Sequence, residues 1–246
     1  MIVDRQLCIG CGQCVLYCPI HAISIRDRKA EIDREICTEC ANCFRANVCK
    51  PTALSKEELE GARVIRSLLS DVQTVYRGVN GRGTEEMKTN DVTGRFQSGY
   101  CGIAVELGRP GVSTTVRDVE KVAMVAASHG AEFEEWNPIS QYIIDKKTGK
   151  MEPSVLDEHI LSGIVEVNIP IGKLLEVVQA LLEVSKELDT VFSLDVACLV
   201  EPDGTIPSKD ILDKAGIFYR PNCKTNVGLG KPPYNHTYGK YKEEMA

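Results

Sequence analysis

The residues with the clearest chemical potential are cysteines crowded at the start of the chain. Eight of the eleven cysteines in this 246-residue sequence fall within its first 49 residues. They form two runs of similar spacing, which consist of Cys8, Cys11, Cys14 and Cys18, followed by Cys37, Cys40, Cys43 and Cys49. Three thiolates at three-residue intervals, with a fourth a few residues later, surround an iron-sulfur cube from one side. The spacing therefore predicts iron-sulfur chemistry, which is the uptake and release of single electrons.

Zinc and disulfide bonds are the two alternative uses of such cysteines. A structural zinc ion is usually bound by two pairs of cysteines that are a dozen or more residues apart in sequence. A third cysteine in the same turn is not needed for this tetrahedral site. Disulfide bonds form in oxidising compartments, and the start from Met1 to Arg5 has neither the basic residues nor the apolar run of a secretory signal. We therefore expect a cytoplasmic iron-sulfur protein, of a kind suited to an anaerobe.

Residues 1–55 resemble the bacterial two-cluster ferredoxins, whose fold carries two [4Fe-4S] cubes related by an internal duplication. The duplication is visible in the sequence, because the segment 18–23 (CPIHAI) is matched by the segment 49–54 (CKPTAL). Between the two cysteine runs, apolar and polar residues alternate on either side of the charged stretch 26–29. This alternation predicts a β-hairpin.

The resemblance implies two clusters with crossed ligands, since in that family the fourth cysteine of each run binds the other cube. It assigns Cys8, Cys11, Cys14 and Cys49 to cluster 1, and Cys37, Cys40, Cys43 and Cys18 to cluster 2. The chain departs from the family at one place, where five residues instead of three precede Cys49. This insertion, residues 44–48, must bulge, which makes Cys49 the least secure ligand.

Composition and charge limit what the whole chain can do. No apolar run approaches the roughly 18 residues that a membrane span needs. The net charge of −6, without a basic stripe, argues against a nucleic-acid partner. Residues 1–51 hold seven Lys or Arg and six Asp or Glu, so the negative charge lies beyond them. Because diffusing ferredoxins are often strongly acidic, this balanced segment is expected to be a fixed module with a protein redox partner.

An α+β fold is predicted for the rest of the chain. Ser55 and Glu58 have the spacing of a capping box, so a linking helix is expected over residues 56–70. Residues 71–246 then form an α+β domain with a βαββαβ core at about 100–200 and an irregular C-terminal tail. The core elements are expected near residues 102–108 (strand), 114–129 (helix), 131–144 (strand), 161–169 (strand), 173–188 (helix) and 190–200 (strand).

The segment 105–112 (VELGRPGV), which leads from a strand into a helix, is similar to the entry of ACT-type domains. The resemblance implies a two-cluster ferredoxin domain followed by a ferredoxin-like, ACT-like domain. ACT domains sense small ligands or mediate oligomerisation, which would imply regulation or a homo-oligomer built through this domain. The long insertion 146–159 departs from the compact ACT pattern.

Three cysteines and one loop remain outside these motifs. In a βαββαβ sheet the first and last strands are antiparallel neighbours, so Cys101 and Cys198 are expected to lie close together on the buried face. We predict that both are buried and free of metal, and the alternative is that they hold a third cluster together with Cys223. The polar loop 80–95 contains glycines and basic residues, which makes it a second candidate ligand site.

These observations predict an electron-transfer protein or subunit rather than a stand-alone enzyme. It would relay single electrons through two [4Fe-4S] clusters to a partner oxidoreductase. Two alternatives stay open: a reductase with its active site in the C-terminal domain, and an ACT-like regulator that senses redox state or a metabolite. No catalytic residue is identified, because the four histidines stand far apart and no nucleophile motif occurs.

Overall fold

Apolar side chains gather into two main cores, one around the cysteine runs and one in the domain that follows. The computed structural model describes residues 1–76, 79–80, 97–109, 111–135 and 137–220. The predicted polar loop 80–95 lies outside the described residues except for the backbone of Asn80. Cys223 and the rest of the predicted tail beyond residue 220 also lie outside them.

The N-terminal segment contains two antiparallel strand pairs and a short helix. Its regular elements are β1 (Ile2–Val3), β2 (Ile23–Arg26), β3 (Lys29–Ile32), α1 (Asn42–Arg45) and β4 (Leu54–Ser55). β1 pairs with β4, and β2 pairs with β3. The turn between β2 and β3 is formed by Asp27 and Arg28, with φ of 49° and 59°. Two left-handed residues suit a tight hairpin turn, so the predicted hairpin is confirmed.

The predicted linking helix over residues 56–70 is wrong at its start. Ser55 does not cap a helix, because it lies in β4 and pairs with Ile2. Residues 56–60 have no regular structure, and helical turns begin with a 3₁₀ turn at Gly61–Arg63, which continues as α2 (Val64–Leu68). Pairing with a strand more than fifty residues away thus overrides the local capping signal, as tertiary context commonly does.

The second domain is built on a four-stranded antiparallel sheet and two longer helices. Its elements are β5 (Val75–Tyr76), β6 (Val79–Asn80), β7 (Tyr100–Leu107), β8 (Thr114–Thr115), α3 (Val116–Ser128), β9 (Glu132–Phe133), β10 (Ile143–Asp145), β11 (Lys150–Met151), β12 (His159–Ile160), β13 (Gly163–Pro170), α4 (Leu174–Val184), β14 (Phe192–Cys198) and α5 (Pro207–Lys214). The strands of the sheet lie in the order β14-β7-β13-β9. The strands of this sheet and the two longer helices follow one another along the chain as β7, α3, β9, β13, α4 and β14, with short strand pairs in between. The likeness to ACT domains stays a prediction.

The strand predicted over residues 131–144 is interrupted. β9 is only two residues long, and a 3₁₀ helix (Pro138–Tyr142) precedes β10. Asn137 starts this turn, since its side-chain oxygen accepts a hydrogen bond from the backbone N–H of Ile139 at 2.8 Å. Pro138 follows at the first helical position, where its missing N–H is no loss. This local stop signal ends the strand pairing early.

Both longer helices contribute to the core on one face of the sheet. α3 begins at Thr115, whose hydroxyl accepts a hydrogen bond from the N–H of Asp118 at 3.2 Å, and ends before Gly130, with φ of 75°. Ile103 of β7, Val119 of α3 and Leu181 of α4 are fully buried in the same core. None of the helices in the described part of the chain has the length and apolar character of a bilayer span.

Arg66 joins the cysteine-rich segment to the second domain. It is buried, and its guanidinium donates hydrogen bonds to the backbone carbonyl oxygens of Arg34, Glu35 and Cys37 at 3.0, 2.7 and 2.9 Å. It also forms an ion pair with Glu158 of the second domain. A guanidinium group is planar and its N–H donors point in fixed directions, so one arginine can bind several carbonyl oxygens and a carboxylate at the same time. The cysteine-rich segment is thereby held on the second domain at Cys37.

Asp71 forms a second connection between the cysteine runs and the residues after α2. It is 1% exposed and forms ion pairs with Arg45 of α1 and with Lys56, the latter at 2.7 Å. Burial opposes ionisation, but the hydrogen bonds and the two cations hold the pKa of the Asp71 carboxyl below its usual value. Asp71 therefore stays ionised and ties the second cysteine run to the start of the second domain.

Candidate iron-sulfur cluster sites

Four cysteines from both runs line a first cavity. Cys8, Cys11 and Cys14 of the first run meet Cys49, the last cysteine of the second run, around about 350 Å³ of unfilled space. Cys8 and Cys14 are buried, Cys49 is half-buried and Cys11 is exposed. Most of the other lining residues are apolar or glycine. These four cysteines are the set that the resemblance assigns to cluster 1.

The other four cysteines line a second cavity. Cys37, Cys40 and Cys43 of the second run meet Cys18 of the first run around about 310 Å³ of unfilled space. The three cysteines of the second run are buried, and Cys18 is half-buried. Each cavity therefore brings together three cysteines of one run and the fourth cysteine of the other run. The four cysteines of the second cavity are the set that the resemblance assigns to cluster 2. The fourth cysteine comes from the other run in both cavities, as the crossed assignment expects.

Matching backbone turns place the first three cysteines of each run. Gly10 and Gly12 have φ of 71° and 75°, while Glu39 and Ala41, at the same offsets in the second run, both have φ of 56°. At Gly10 a side chain is excluded, since a Cβ atom would lie 2.2 Å from the carbonyl oxygen of Arg28. The internal duplication is thus visible in the backbone as well as in the sequence.

Cys49 has the same backbone surroundings as Cys18, despite the insertion 44–48 before it. The residue three positions after each of these cysteines is left-handed. The backbone N–H four positions after each donates to its sulfur, from Ala22 to Cys18 at 3.1 Å and from Ala53 to Cys49 at 3.3 Å. The extra residues are therefore accommodated upstream of Cys49, and its geometry repeats that of the uninterrupted run.

Burial controls the acidity of the cysteines that face inward. It raises the pKa of the Cys14, Cys37 and Cys40 thiols. For Cys43, burial and the neighbouring cysteines raise the pKa to about 12. Such thiols hold their protons at neutral pH and are poor nucleophiles, whereas a metal that binds them must displace the protons. The raised pKa values therefore argue against covalent catalysis by these buried thiols.

The donor set of each cavity fits a [4Fe-4S] cluster. Among the described residues, no three His, Cys, Asp or Glu side chains converge on a point where one metal ion would be held. In a [4Fe-4S] cube each thiolate binds a different iron, so the four ligands lie around the cluster rather than around one atom. A cluster held in this way would supply one-electron chemistry, and the chain supplies four sulfur donors to each cavity. Backbone N–H groups are directed at several of these sulfurs, among them those of Cys8, Cys18 and Cys49.

Charged groups beside the second cavity were not apparent from the sequence. Glu39 lies between Cys37 and Cys40 and is 5% exposed. Its carboxylate pairs with the N-terminal ammonium group of Met1 and with Arg63, the latter at 2.6 Å. Both partners are more than twenty residues away along the chain, so no local pattern indicates them. The pairs neutralise a buried charge next to the second cavity.

Cys101 and Cys198 lie opposite each other on β7 and β14, as predicted. Cys101 is fully buried, and burial raises the pKa of its thiol to about 12. The prediction that both are buried is wrong for Cys198, which is half-buried because β14 is an edge strand of the sheet. Its sulfur lies 2.9 Å from the hydroxyl oxygen of Ser208. Cys223, the third cysteine of the alternative cluster, lies outside the described residues.

Comparisons with known proteins agree with this chemistry. A family described as a 4Fe-4S binding domain matches residues 1–24. Ferredoxin Fdx2 of Sorangium cellulosum is 36% identical over 70 residues, a match that covers 69% of that protein and 24% of this chain. The chain belongs to the ferredoxin family. Its N-terminal segment is a ferredoxin-type iron-sulfur segment for electron transfer.

Two further relatives of this ferredoxin are matched over smaller shares of their own length. An uncharacterized ferredoxin of Methanocaldococcus jannaschii is 40% identical over 67 residues, with 42% of that protein and 24% of this chain covered. The pyruvate synthase subunit PorD of Methanothermobacter marburgensis is 36% identical over 55 residues, with 62% of that protein and 22% of this chain covered. No solved structure gave a significant match.

Proposed function

We propose that this ferredoxin binds two [4Fe-4S] clusters and relays single electrons to a partner oxidoreductase. The proposed ligands are Cys8, Cys11, Cys14 and Cys49 for cluster 1, and Cys37, Cys40, Cys43 and Cys18 for cluster 2. The observation that carries this proposal is the composition of the two cavities, each of which is lined by three cysteines of one run and the fourth of the other. Two clusters within one small core allow an electron to pass between them.

The two clusters have different exposure, which supports different roles. Cys11 of the cluster 1 set is exposed, and so are the apolar side chains of Ile9 and Leu16 nearby in sequence, with 67% and 77% of their surfaces accessible. In the cluster 2 set, Cys37, Cys40 and Cys43 are buried and Cys18 is half-buried, so none of the four is exposed. Electron transfer slows steeply with distance, so an external partner exchanges electrons most readily at cluster 1. Cluster 2 lies toward the second domain, where Arg66 contacts Cys37.

The cysteine-rich segment is proposed to work as a fixed part of a larger assembly. Arg66 and Asp71 tie it to the rest of the chain through buried ion pairs. PorD, one of the relatives, is itself a subunit of a pyruvate synthase. A comparable role as a subunit of an oxidoreductase complex fits a ferredoxin segment that is held on a second domain. That second domain would then provide the docking surface or a homo-oligomer contact.

A fixed module with balanced charge should exchange electrons at a rate that depends little on salt. Residues 1–51 carry seven basic and six acidic residues, so long-range steering of a partner is weak. The measurement is the stopped-flow electron-transfer rate with the co-purified partner, as the Debye length falls from about 30 Å at 0.01 M salt to about 3 Å at 1 M. We expect a change of less than about threefold, whereas electrostatically steered pairs slow steeply. A rate that collapses with salt would indicate a diffusing shuttle instead.

Anaerobic purification with bound partners separates this proposal from its two alternatives. A stable partner that contains flavin, molybdenum or tungsten supports the relay. Turnover by the isolated chain would support a reductase, for which the open depression lined by Tyr100, Phe133, Glu134 and Lys146 would be the candidate substrate site. Tight binding of an amino acid would support the ACT-like sensor.

A further inference from the structure

Thr38 places a buried hydroxyl group at the wall of the second cavity. It lies between Cys37 and Cys40, is 1% exposed, and lines the cavity together with all four cysteines of the cluster 2 set. Its hydroxyl oxygen forms no hydrogen bond with the described protein atoms. Buried polar groups in folded proteins almost always have a partner, so this one requires an explanation.

The duplicated position in the first run has the opposite character. Thr38 follows the first cysteine of the second run, and Ile9 follows the first cysteine of the first run. Ile9 lines the first cavity, has no polar side-chain atom and is 67% exposed. The two runs have the same backbone turns, so the backbone follows the same course beside both cavities. The difference at this position therefore lies in the chemistry of the side chain. Only the second cavity receives a side-chain hydroxyl at this position.

We propose that the Thr38 hydroxyl donates a hydrogen bond to a sulfur of cluster 2 and raises the midpoint potential of that cluster. The candidate acceptors are the cysteine sulfurs that line the same cavity as Thr38 and the sulfides of the cluster they would hold. This inference rests on the two-cluster function proposed above. Thr38 would be a tuning residue that distinguishes the two clusters of one chain.

The direction of the effect follows from charge. Reduction adds one electron to the cluster, and hence one negative charge that is spread over iron and sulfur. Hydrogen bonds to a more negative acceptor are stronger, so the hydroxyl stabilises the reduced form more than the oxidised form. Hydrogen bonds to the sulfurs are among the factors that set cluster potentials. Removal of the hydroxyl should therefore make the potential more negative.

The test is a redox titration of the intact holoprotein, with dithionite as reductant and electron paramagnetic resonance as the readout. Thr38→Val removes the hydroxyl with little change in shape, and Thr38→Ser keeps it. We expect Thr38→Val to lower the potential of one cluster by up to about 59 mV, the one-electron equivalent of a tenfold change in the reduction equilibrium. Thr38→Ser should stay near the wild type. The control Thr205→Val removes an exposed hydroxyl of the second domain, outside both cavities, and should leave both potentials unchanged.

Unchanged potentials in Thr38→Val, or an equal shift in Thr38→Ser, would overturn the inference. Where Thr38→Val does not assemble cluster 2, the smaller Thr38→Ala substitutes for it and should show the same lowering. Loss of cluster 2 in both Thr38→Val and Thr38→Ala, together with retention of cluster 2 in Thr38→Ser, would also support a contact between the hydroxyl group and the cluster. Loss in Thr38→Ser as well would count against it. A wild-type protein with a single cluster would instead refute the proposed function on which the inference rests.

Discussion

Replacement of Cys49 with alanine should remove the cluster held by Cys8, Cys11 and Cys14 and leave the other cluster in place. The reason is the crossing of the runs, since Cys49 lines the first cavity although it ends the second run. Alanine removes one of four ligands, and the iron content should fall from about eight to about four per chain. Iron and sulfide analysis measures the loss.

The matched control is Cys18→Ala, which should have the opposite effect. Cys18 ends the first run but lines the second cavity, so its loss should remove cluster 2. Paramagnetic NMR identifies the surviving cluster, because it broadens the signals of nearby side chains. In Cys49→Ala we expect broadening of Ile32, which lines the second cavity, and recovery of Ile25, which lines the first. The reverse pattern would show that each run binds its own cluster.

The replacement of Arg66 by methionine should destabilise the protein strongly. It would leave the Glu158 carboxylate, the buried carbonyl oxygen of Cys37 and two part-buried carbonyl oxygens without their donor. Breaking a buried ion pair costs about 3–5 kcal/mol. At roughly 2–4 °C per kcal/mol for a chain of this size, the apparent unfolding temperature should fall by about 10 °C. The measurement is thermal unfolding of the anaerobic holoprotein at one fixed scan rate.

Arg117→Met is the matched control for this prediction. Arg117 pairs with Asp157, which is the neighbour of Glu158 in sequence, but both members of this pair are more than half exposed. Exposed ion pairs contribute little to stability because water and salt screen them, so the control should unfold close to the wild type. Equal unfolding temperatures for Arg66→Met and Arg117→Met would contradict a structural role for Arg66.

Features that depend on short-range spacing could be predicted from the sequence. The cysteine runs and the hairpin between them are local patterns. The crossed grouping of the cysteines came from the family resemblance and stays a prediction, which the lining of the two cavities supports. The order of the four sheet strands and the two longer helices between β7 and β14 also followed from local periodicity, whereas the short strands between them did not. In these regions local preference and long-range pairing favour the same structure.

Features that depend on distant partners were missed or mispredicted. The capping box at Ser55 failed because Ile2, at the other end of the segment, pairs with it. Arg66 looked like any helix residue, since its four partners lie between 29 and 92 positions away. Thr38 gave no signal either, because only the fold encloses its hydroxyl beside four cysteines. Burial and long-range contact, which the sequence does not encode locally, decide all three.

The central claim is that one chain holds two [4Fe-4S] clusters, and metal analysis of anaerobically purified protein tests it most directly. Two cubes require close to eight irons and eight acid-labile sulfides per chain, and the reduced protein should show two magnetically interacting clusters by electron paramagnetic resonance. Zinc in place of iron, or only four irons per chain with one isolated signal, would contradict the claim.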